Sequence, residues 1–364
     1  MKSLIEHLRT LLILGRVSNL PTVWSNLLAG WMLADFTPLL GVMPPKGYAP
    51  DDTLWPTLCL LVGGSCLYVG GMYLNDFCDA VFDARFCPTR PIPAGKISRR
   101  LVGLLTILWF SAGFGCFTTF GPVTLGFTLL LISAIVLYDF HHKDVAWAPL
   151  LMGFCRCLLY LLAACSMREC YFFSTVYGDW LDGALTSLRI QSYLRNDSWD
   201  LLMDVFRLAL PAAIPLGLYV AGITYYARGE SRPTKPTRWA LILVLMPVLV
   251  QIVLHLVFAS QFQVSHFIHP YEHMRDPQML ISWWFWQSWW VPYSLVFLAW
   301  TAWLLIPLWR GTKPSIGRVV AGMLAGIVLV DMMALTGAPD GFPPTRLVIY
   351  FLLALLLQRI IPAT

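Results

Sequence analysis

Charge is scarce in this chain. Asp, Glu, Lys and Arg make up 12% of its 364 residues and hydrophobic types 58%, a balance that excludes an ordinary soluble globular protein, in which about a quarter of residues are charged. Low-complexity tracts, a convincing internal repeat and a separable soluble domain are also lacking, so residues 1–364 read as a single membrane domain. The nine cysteines, Cys59, Cys66, Cys78, Cys87, Cys116, Cys155, Cys157, Cys165 and Cys170, show no C-x-x-C spacing. That weighs against a zinc or redox motif, and they read as small apolar packing residues. Met1 to Arg16 carries Glu6 and His7 and has no small-residue cleavage site, so no cleavable signal is expected. The lack of a transit peptide suits a bacterial inner membrane.

Long apolar runs are what the chain has in abundance. They lie near 17–35, 57–76, 100–120, 122–140, 146–166, 205–227, 238–258, 289–308, 317–336 and 345–361, each about long enough to cross a hydrocarbon core of ~30 Å. The expectation is an all-α, polytopic bundle of nine or ten transmembrane helices. Basic residues concentrate in alternate loops, with Arg9 and Arg16, then Arg85 to Arg100, Lys143, Arg228 to Arg238, Arg310 to Arg318, and Arg359 on one side. By the positive-inside rule that side is the cytoplasm. This bias accounts for the net charge of +5, leaving no case for nucleic-acid binding. Two outer loops, about 168–204 and 260–288, are long, and the second ends in an interfacial belt at Trp283, Trp284, Phe285 and Trp286. His266, His269 and His273 with Glu272 lie there too, but Pro270 interrupts any helical register between them, so a polar loop is expected rather than a metal site.

Against this apolar background three of the 20 acids fall within eight residues, in Asn75-Asp76-Phe77-Cys78-Asp79-Ala80-Val81-Phe82-Asp83. Asp76, Asp79 and Asp83 stand at i, i+3 and i+7 and so share one helical face within reach of a common cation. Near a helix carboxyl end, three acids oppose the dipole until a cation arrives. Mg2+ takes oxygen ligands and is held by one or two carboxylates plus substrate phosphates. The alternative is an acidic juxtamembrane turn without a ligand. Seven residues later Arg90-Pro91-Ile92-Pro93-Ala94-Gly95-Lys96-Ile97-Ser98 begins, placing Arg90 and Lys96 to meet phosphate oxygens or to serve as membrane anchors, as Arg99 and Arg100 do.

These two motifs resemble the UbiA superfamily of intramembrane prenyltransferases, whose pattern is N-D-x-x-D-x-x-x-D followed by R-P-[IL]-P-[AS]-G. The resemblance extends to Arg16-Val17-Ser18-Asn19-Leu20-Pro21-Thr22-Val23-Trp24 and, more weakly, to Tyr138-Asp139-Phe140-His141-His142-Lys143-Asp144. It covers about residues 10–240 and implies a membrane bundle around a central, cytoplasm-facing cavity. It implies Mg2+ held by Asp76, Asp79 and Asp83, with Asn75 as a neutral ligand or ligand-orienting group. Arg90, Lys96 and Lys143 would meet the substrate. Tyr73 and Tyr138 are candidates to shelter a carbocation. The implied reaction moves an isoprenyl group from a prenyl diphosphate to a small acceptor in the membrane.

The superfamily's second acidic motif, D-x-x-Y-x-x-x-D, is absent. In its place stands Gly222-Ile223-Thr224-Tyr225-Tyr226-Ala227-Arg228-Gly229-Glu230, where Tyr225 matches and the aspartates do not. Either Glu230, with Asp139 or Asp144, supplies a carboxylate, or Arg228, Arg232 and Lys235 meet the diphosphate charge instead. The departure keeps two other functions open: an intramembrane terpene cyclase, and a non-catalytic binder or transporter of polyprenyl lipids. Ionisable and polar groups within the membrane mark cavities or partners. Arg156 either reaches the diphosphate or pairs with a membrane carboxylate, and Asn19, nearer the cytoplasm than Asn26, is assigned to substrate. Asp331 is expected to pair without a catalytic role, and His255 to be a satisfied interior residue. The glycine pairs Gly63-Gly64 and Gly70-Gly71 are expected to admit a close neighbouring helix.

Overall fold

The computed structural model describes residues 2–34, 54–141, 145–177, 198–231, 239–268, 290–309, 316–336 and 344–361. These form eleven helices: α1 (Lys2–Leu14), α2 (Leu20–Ala34), α3 (Leu54–Phe86), α4 (Arg99–Phe117), α5 (Pro122–His141), α6 (Ala148–Tyr177), α7 (Ser198–Ser231), α8 (Ala240–Ile268), α9 (Trp290–Trp309), α10 (Ile316–Ala334) and α11 (Val348–Ile360). No strand occurs among the described residues. Within the described residues the ten apolar runs fall on helices, as a chain must arrange them when hydrocarbon offers no partner to backbone N–H and C=O groups. Seven of the helices, α3 to α7, α9 and α10, contain spans long and apolar enough to cross a bilayer. Ala240–Leu256 of α8 is a shorter apolar stretch, and α2 and α11 have 15 and 13 residues. The protein is a multi-pass membrane protein with an all-α fold. His269, Glu272, His273, Trp283, Trp284 and Trp286 lie outside the described residues, as does most of the first outer loop.

Burial separates centre from periphery. The apolar windows of α6 and α10 are 78% and 72% buried, against 22% and 28% for α4 and α5, so α6 and α10 form the axis and α4 and α5 face outward. Small residues set how closely the axis packs. Gly153 on α6 and Gly217 on α7 meet backbone to backbone, and a Cβ on Gly30 of α2 would come 2.5 Å from the Tyr160 carbonyl oxygen of α6. The glycine pairs of α3 divide their work among three neighbours. Gly63 and Gly70 back onto Phe117 and Phe110 of α4, whereas Gly64 meets Leu27 of α2 and Gly71 meets Ile135 of α5.

Helix ends within the bundle also need partners. At the start of α5 the buried Glu169 carboxylate, from α6, accepts hydrogen bonds from the backbone N–H groups of Val123 (2.9 Å) and Thr124 (2.8 Å). An acid at a helix amino terminus is favoured by the dipole. Ser98 caps α4 in the usual way, its hydroxyl accepting from Leu101 N–H at 3.3 Å.

Replacing Gly153 by leucine forces α6 and α7 apart. The expected loss is about 1–3 kcal/mol of stability, the range for overpacking a dense interior. It should appear as a lowered unfolding midpoint in detergent, while the same change at Gly115, where a Cβ meets nothing within 4 Å, leaves the midpoint near wild type.

Candidate functional site

Helix α3 runs 33 residues without a break to Phe86, so Asp76, Asp79 and Asp83 lie on its last three turns rather than beyond its end. All three are buried, and the one-face arrangement required by their spacing is present. The chain then reverses through a tight turn in which Ala94 N–H donates to the Arg90 carbonyl (2.9 Å), Gly95 N–H to Ile92 (3.1 Å) and Lys96 N–H to Pro91 (3.0 Å). Gly95 adopts φ +72°, a value open to glycine at no steric cost. This reversal carries Arg90 back over the acids. Its Nη1 donates to Asp83 Oδ2 at 2.8 Å and stands 4.0 Å from carboxylate oxygens of both Asp76 and Asp79. Burial alone would lower the Arg90 pKa, but the Asp83 hydrogen bond and the charges of Asp83 and Asp76 outweigh it and hold the guanidinium above its ordinary value. It is cationic at every working pH.

A second cation comes from the amino-terminal side. Arg16 closes the turn after α1 with φ 42° and ψ 46°, a left-handed conformation unfavourable for a non-glycine residue and common at functional sites. Its Nη2 donates to Asn75 Oδ1 at 3.2 Å and lies 3.5 Å from Asp76 Oδ1. Asn75 in turn donates to Asp139 Oδ1 on α5 at 3.1 Å. The assembly therefore unites Asp76, Asp79, Asp83, Asn75 and Arg90 with two residues that sequence reasoning did not assign to the site, Arg16 and Asp139. Arg16 registered as a loop charge and as the first residue of the family-like stretch Arg16 to Trp24, which was the available signal. Asp139 registered only as a possible replacement acid.

Other candidates lie farther out. Tyr138 neighbours Asp139 on α5 and feels the charges of Arg228 and Arg16. Arg228 donates to the carbonyls of Val145 (3.0 Å) and Ala146 (3.2 Å), bracing the start of α6, and Tyr225 stacks edge-on against Trp239. Lys96 is exposed at the end of its turn. Tyr73 is built into the packing of α1 on α3, its hydroxyl donating to the Leu11 carbonyl at 3.1 Å. Lys143 and Asp144 lie outside the described residues, as do Arg232 and Lys235, and of Glu230 only its place on α7 is described.

Deeper in the bundle a separate polar network occupies the axis. Arg156 donates to Asn26 Oδ1 (2.7 Å) and to the Thr22 hydroxyl (3.3 Å), and Asn26 Nδ2 donates to both oxygens of Asp331 (2.9 and 2.8 Å). Ser25 (2.5 Å) and Tyr160 (3.0 Å) donate to the same carboxylate. Arg156 and Asp331 are thus coupled through Asn26 across α2, α6 and α10, and neither reaches the acid site directly. Asn19 accepts from Gln358 of α11 at 3.3 Å, tying the last helix to the start of α2. His255 lies beside Trp290, lining a cavity of about 220 Å³ among α7 to α10.

Beside the acids, a cleft of about 430 Å³ opens between α3 and α5. Asp79 and Asp139 line its inner wall, Phe77, Phe82, Phe86 and Phe140 its apolar side, and Arg85 and Arg99 its rim. A charged head and an apolar tail would find complementary surfaces within one space. Hard carboxylate oxygens are the donors Mg2+ prefers, and Asp76 Oδ1 is buried with no hydrogen-bond partner. Among the described residues no three such side chains converge to hold an ion unaided. The set fits a metal that would take one or two of the Asp76, Asp79 and Asp83 carboxylates and complete its shell with substrate oxygens and water.

Residues 40–327 match the UbiA prenyltransferase family. The chain belongs to that family. The match carries the relationship well past residue 240, where the sequence motifs stop, and begins after the Arg16 turn. A curated UbiA-type relative, 4-hydroxybenzoate octaprenyltransferase of Aeromonas hydrophila subsp. hydrophila, is 27% identical over 139 residues, 38% of this chain and 44% of that one. Digeranylgeranylglyceryl phosphate synthase of Methanopyrus kandleri is 29% identical over 156 residues, 43% of this chain and 53% of that one. The chain spans about half the length of these curated relatives. A solved digeranylgeranylglyceryl phosphate synthase structure superposes with a TM-score of 0.49 at 14% identity, covering 92% of this chain and 99% of that one.

Removing one member of the axial pair strands the other charge in a low-dielectric interior, which costs about 3–5 kcal/mol in buried pairs. Asp331→Leu is therefore expected to lower the unfolding midpoint in detergent far more than Asp331→Asn. Adding Arg156→Leu to Asp331→Leu should recover part of that loss, a coupling that a double-mutant cycle measures directly.

Proposed function

We propose that this UbiA family member transfers an isoprenyl group from a prenyl diphosphate to a small acceptor within the membrane, with Mg2+ as cofactor. The observation that carries the reading is the buried acid face of Asp76, Asp79 and Asp83 beneath two arginines, with Asp79 also lining an adjoining aromatic cleft. When bound, Mg2+ offsets the diphosphate's negative charge and makes it a better leaving group. One or two of the acids would hold the metal, Asn75 is oriented between Arg16 and Asp139, and Arg16 and Arg90 would supply donors to phosphate oxygens. The bond between the allylic carbon and the diphosphate oxygen breaks with its electron pair leaving on the diphosphate. The acceptor's electron pair forms the new bond to that carbon, and its proton passes to a nearby base or to the released diphosphate. Phe77, Phe82 and Phe140 give the chain apolar, π-rich surroundings, a setting that favours positive charge over an aromatic face.

Asp139 is the fourth carboxylate near the site, and we assign it part of the work of the missing second acidic motif. The loop-charge bias supports a cytoplasmic orientation for this end of the bundle. The absent aspartates favour one rival reading, a protein that binds polyprenyl lipids without turnover.

Diphosphate release from geranyl, farnesyl and geranylgeranyl diphosphates, with and without Mg2+ and candidate acceptors, tests the proposal. The expected result is metal-dependent release reduced at least about 100-fold by Asp76→Ala or Asp79→Ala, the scale of losing preorganised charge stabilisation. Binding without release under every acceptor supports the lipid-binding rival. No Mg2+-dependent binding undoes the site.

A further inference from the structure

We infer that Arg90 is a displaceable counter-ion: it balances the acid face before substrate arrives, and withdraws to the diphosphate when a divalent cation takes its place among the aspartates. This deepens the prenyl diphosphate reading and rests on it. One guanidinium nitrogen lies within 4.0 Å of all three carboxylates, yet makes its close contact, 2.8 Å, with Asp83 alone. It therefore stands in the space that a cation held by one or two of these carboxylates needs. Asp76 Oδ1 is left buried without a hydrogen bond, an acceptor that the arginine approaches without satisfying.

The two sides of this contact differ in mobility. The carboxylates project from a continuous helix packed against α4, whereas Arg90 sits on the turn after it with a third of its side chain exposed. Its guanidinium can swing outward without unpacking the bundle. A divalent ion bound by these carboxylates would stand next to the guanidinium, and like charges at such range in a partly buried site repel. Guanidinium and metal cannot both keep these positions. Once released, Arg90 has a new partner close by, since a diphosphate on the metal presents the planar oxygen pairs to which arginine binds best. Arg16 is not equivalent. It contacts Asn75 and Asp76, at the other end of the acid face from Asp83, where Arg90 makes its close contact.

The consequence is a pair of effects of opposite sign, which loss of order in the site cannot produce. The purified full chain is titrated with Mn2+ alone, followed by electron paramagnetic resonance, and then with inorganic pyrophosphate at saturating Mn2+, followed by calorimetry. Arg90→Gln is expected to bind Mn2+ about tenfold more tightly than wild type and pyrophosphate about tenfold more weakly, each near one decade of affinity. Arg90→Lys, which keeps the charge, should stay near wild type for Mn2+. Arg100→Gln, a charge removed outside the site, should change neither. Weakening of both ligands in Arg90→Gln overturns the inference, as does unchanged Mn2+ affinity or equal tightening in Arg90→Lys. Wild-type protein that binds neither Mn2+ nor pyrophosphate overturns it together with the prenyl diphosphate reading, whereas the variant results overturn the counter-ion role alone.

Discussion

Charge placed in a low-dielectric interior must be matched by opposite charge or by donors, and that requirement organises this protein. At the axis, Asp331 draws hydrogen bonds from Ser25, Asn26 and Tyr160 while Asn26 links it to Arg156. At the far end of α6, Glu169 finds its donors in the first turn of α5. At the opposite end of the bundle, three aspartates find Arg90 and Arg16. The first two arrangements are closed, with their acceptors filled by the protein. The third is open, since one buried carboxylate oxygen lacks a hydrogen bond and the balancing arginine comes from a turn rather than a helix.

That difference separates structural from chemical roles. A closed network joins α2, α6 and α10 and contributes by keeping those helices in register; opening it leaves a stranded charge. An acid face balanced by a partly exposed side chain can exchange one cation for another. The same contrast explains why Arg156, an intramembrane cation that invites assignment to a diphosphate, is better placed to serve the axis: its near partners are on α2. Proximity to the acids decides the matter for Arg16 and Arg90.

Much of the site was legible along the chain because the helix repeat converts spacing into geometry. The i, i+3, i+7 acids needed only to be helical to share a face, and the Arg90 turn was visible in its prolines and Gly95. Asp139, Arg16, Tyr160 and Gln358 were harder to place, since each acts across 64, 59, 171 and 339 residues of chain respectively. No local pattern encodes such distances. Tyr73 and Asn19 show the converse, because residues near the motif in sequence can turn to other neighbours: Tyr73 to the carbonyl of Leu11 and Asn19 to the amide of Gln358.

By itself the sequence determined the class of the molecule. Its apolar runs require membrane helices because backbone groups in hydrocarbon must bond within their own segment, and the spacing of its acids requires one charged face because the helix repeats every 3.6 residues. Only the tertiary structure decided which cations meet those acids, which arginine is spent on the axis and where an amphiphile could enter. Those outcomes depend on which helices lie side by side, and close approach at glycines such as Gly30, Gly153 and Gly217 sets that neighbourhood through packing between residues far apart in the chain.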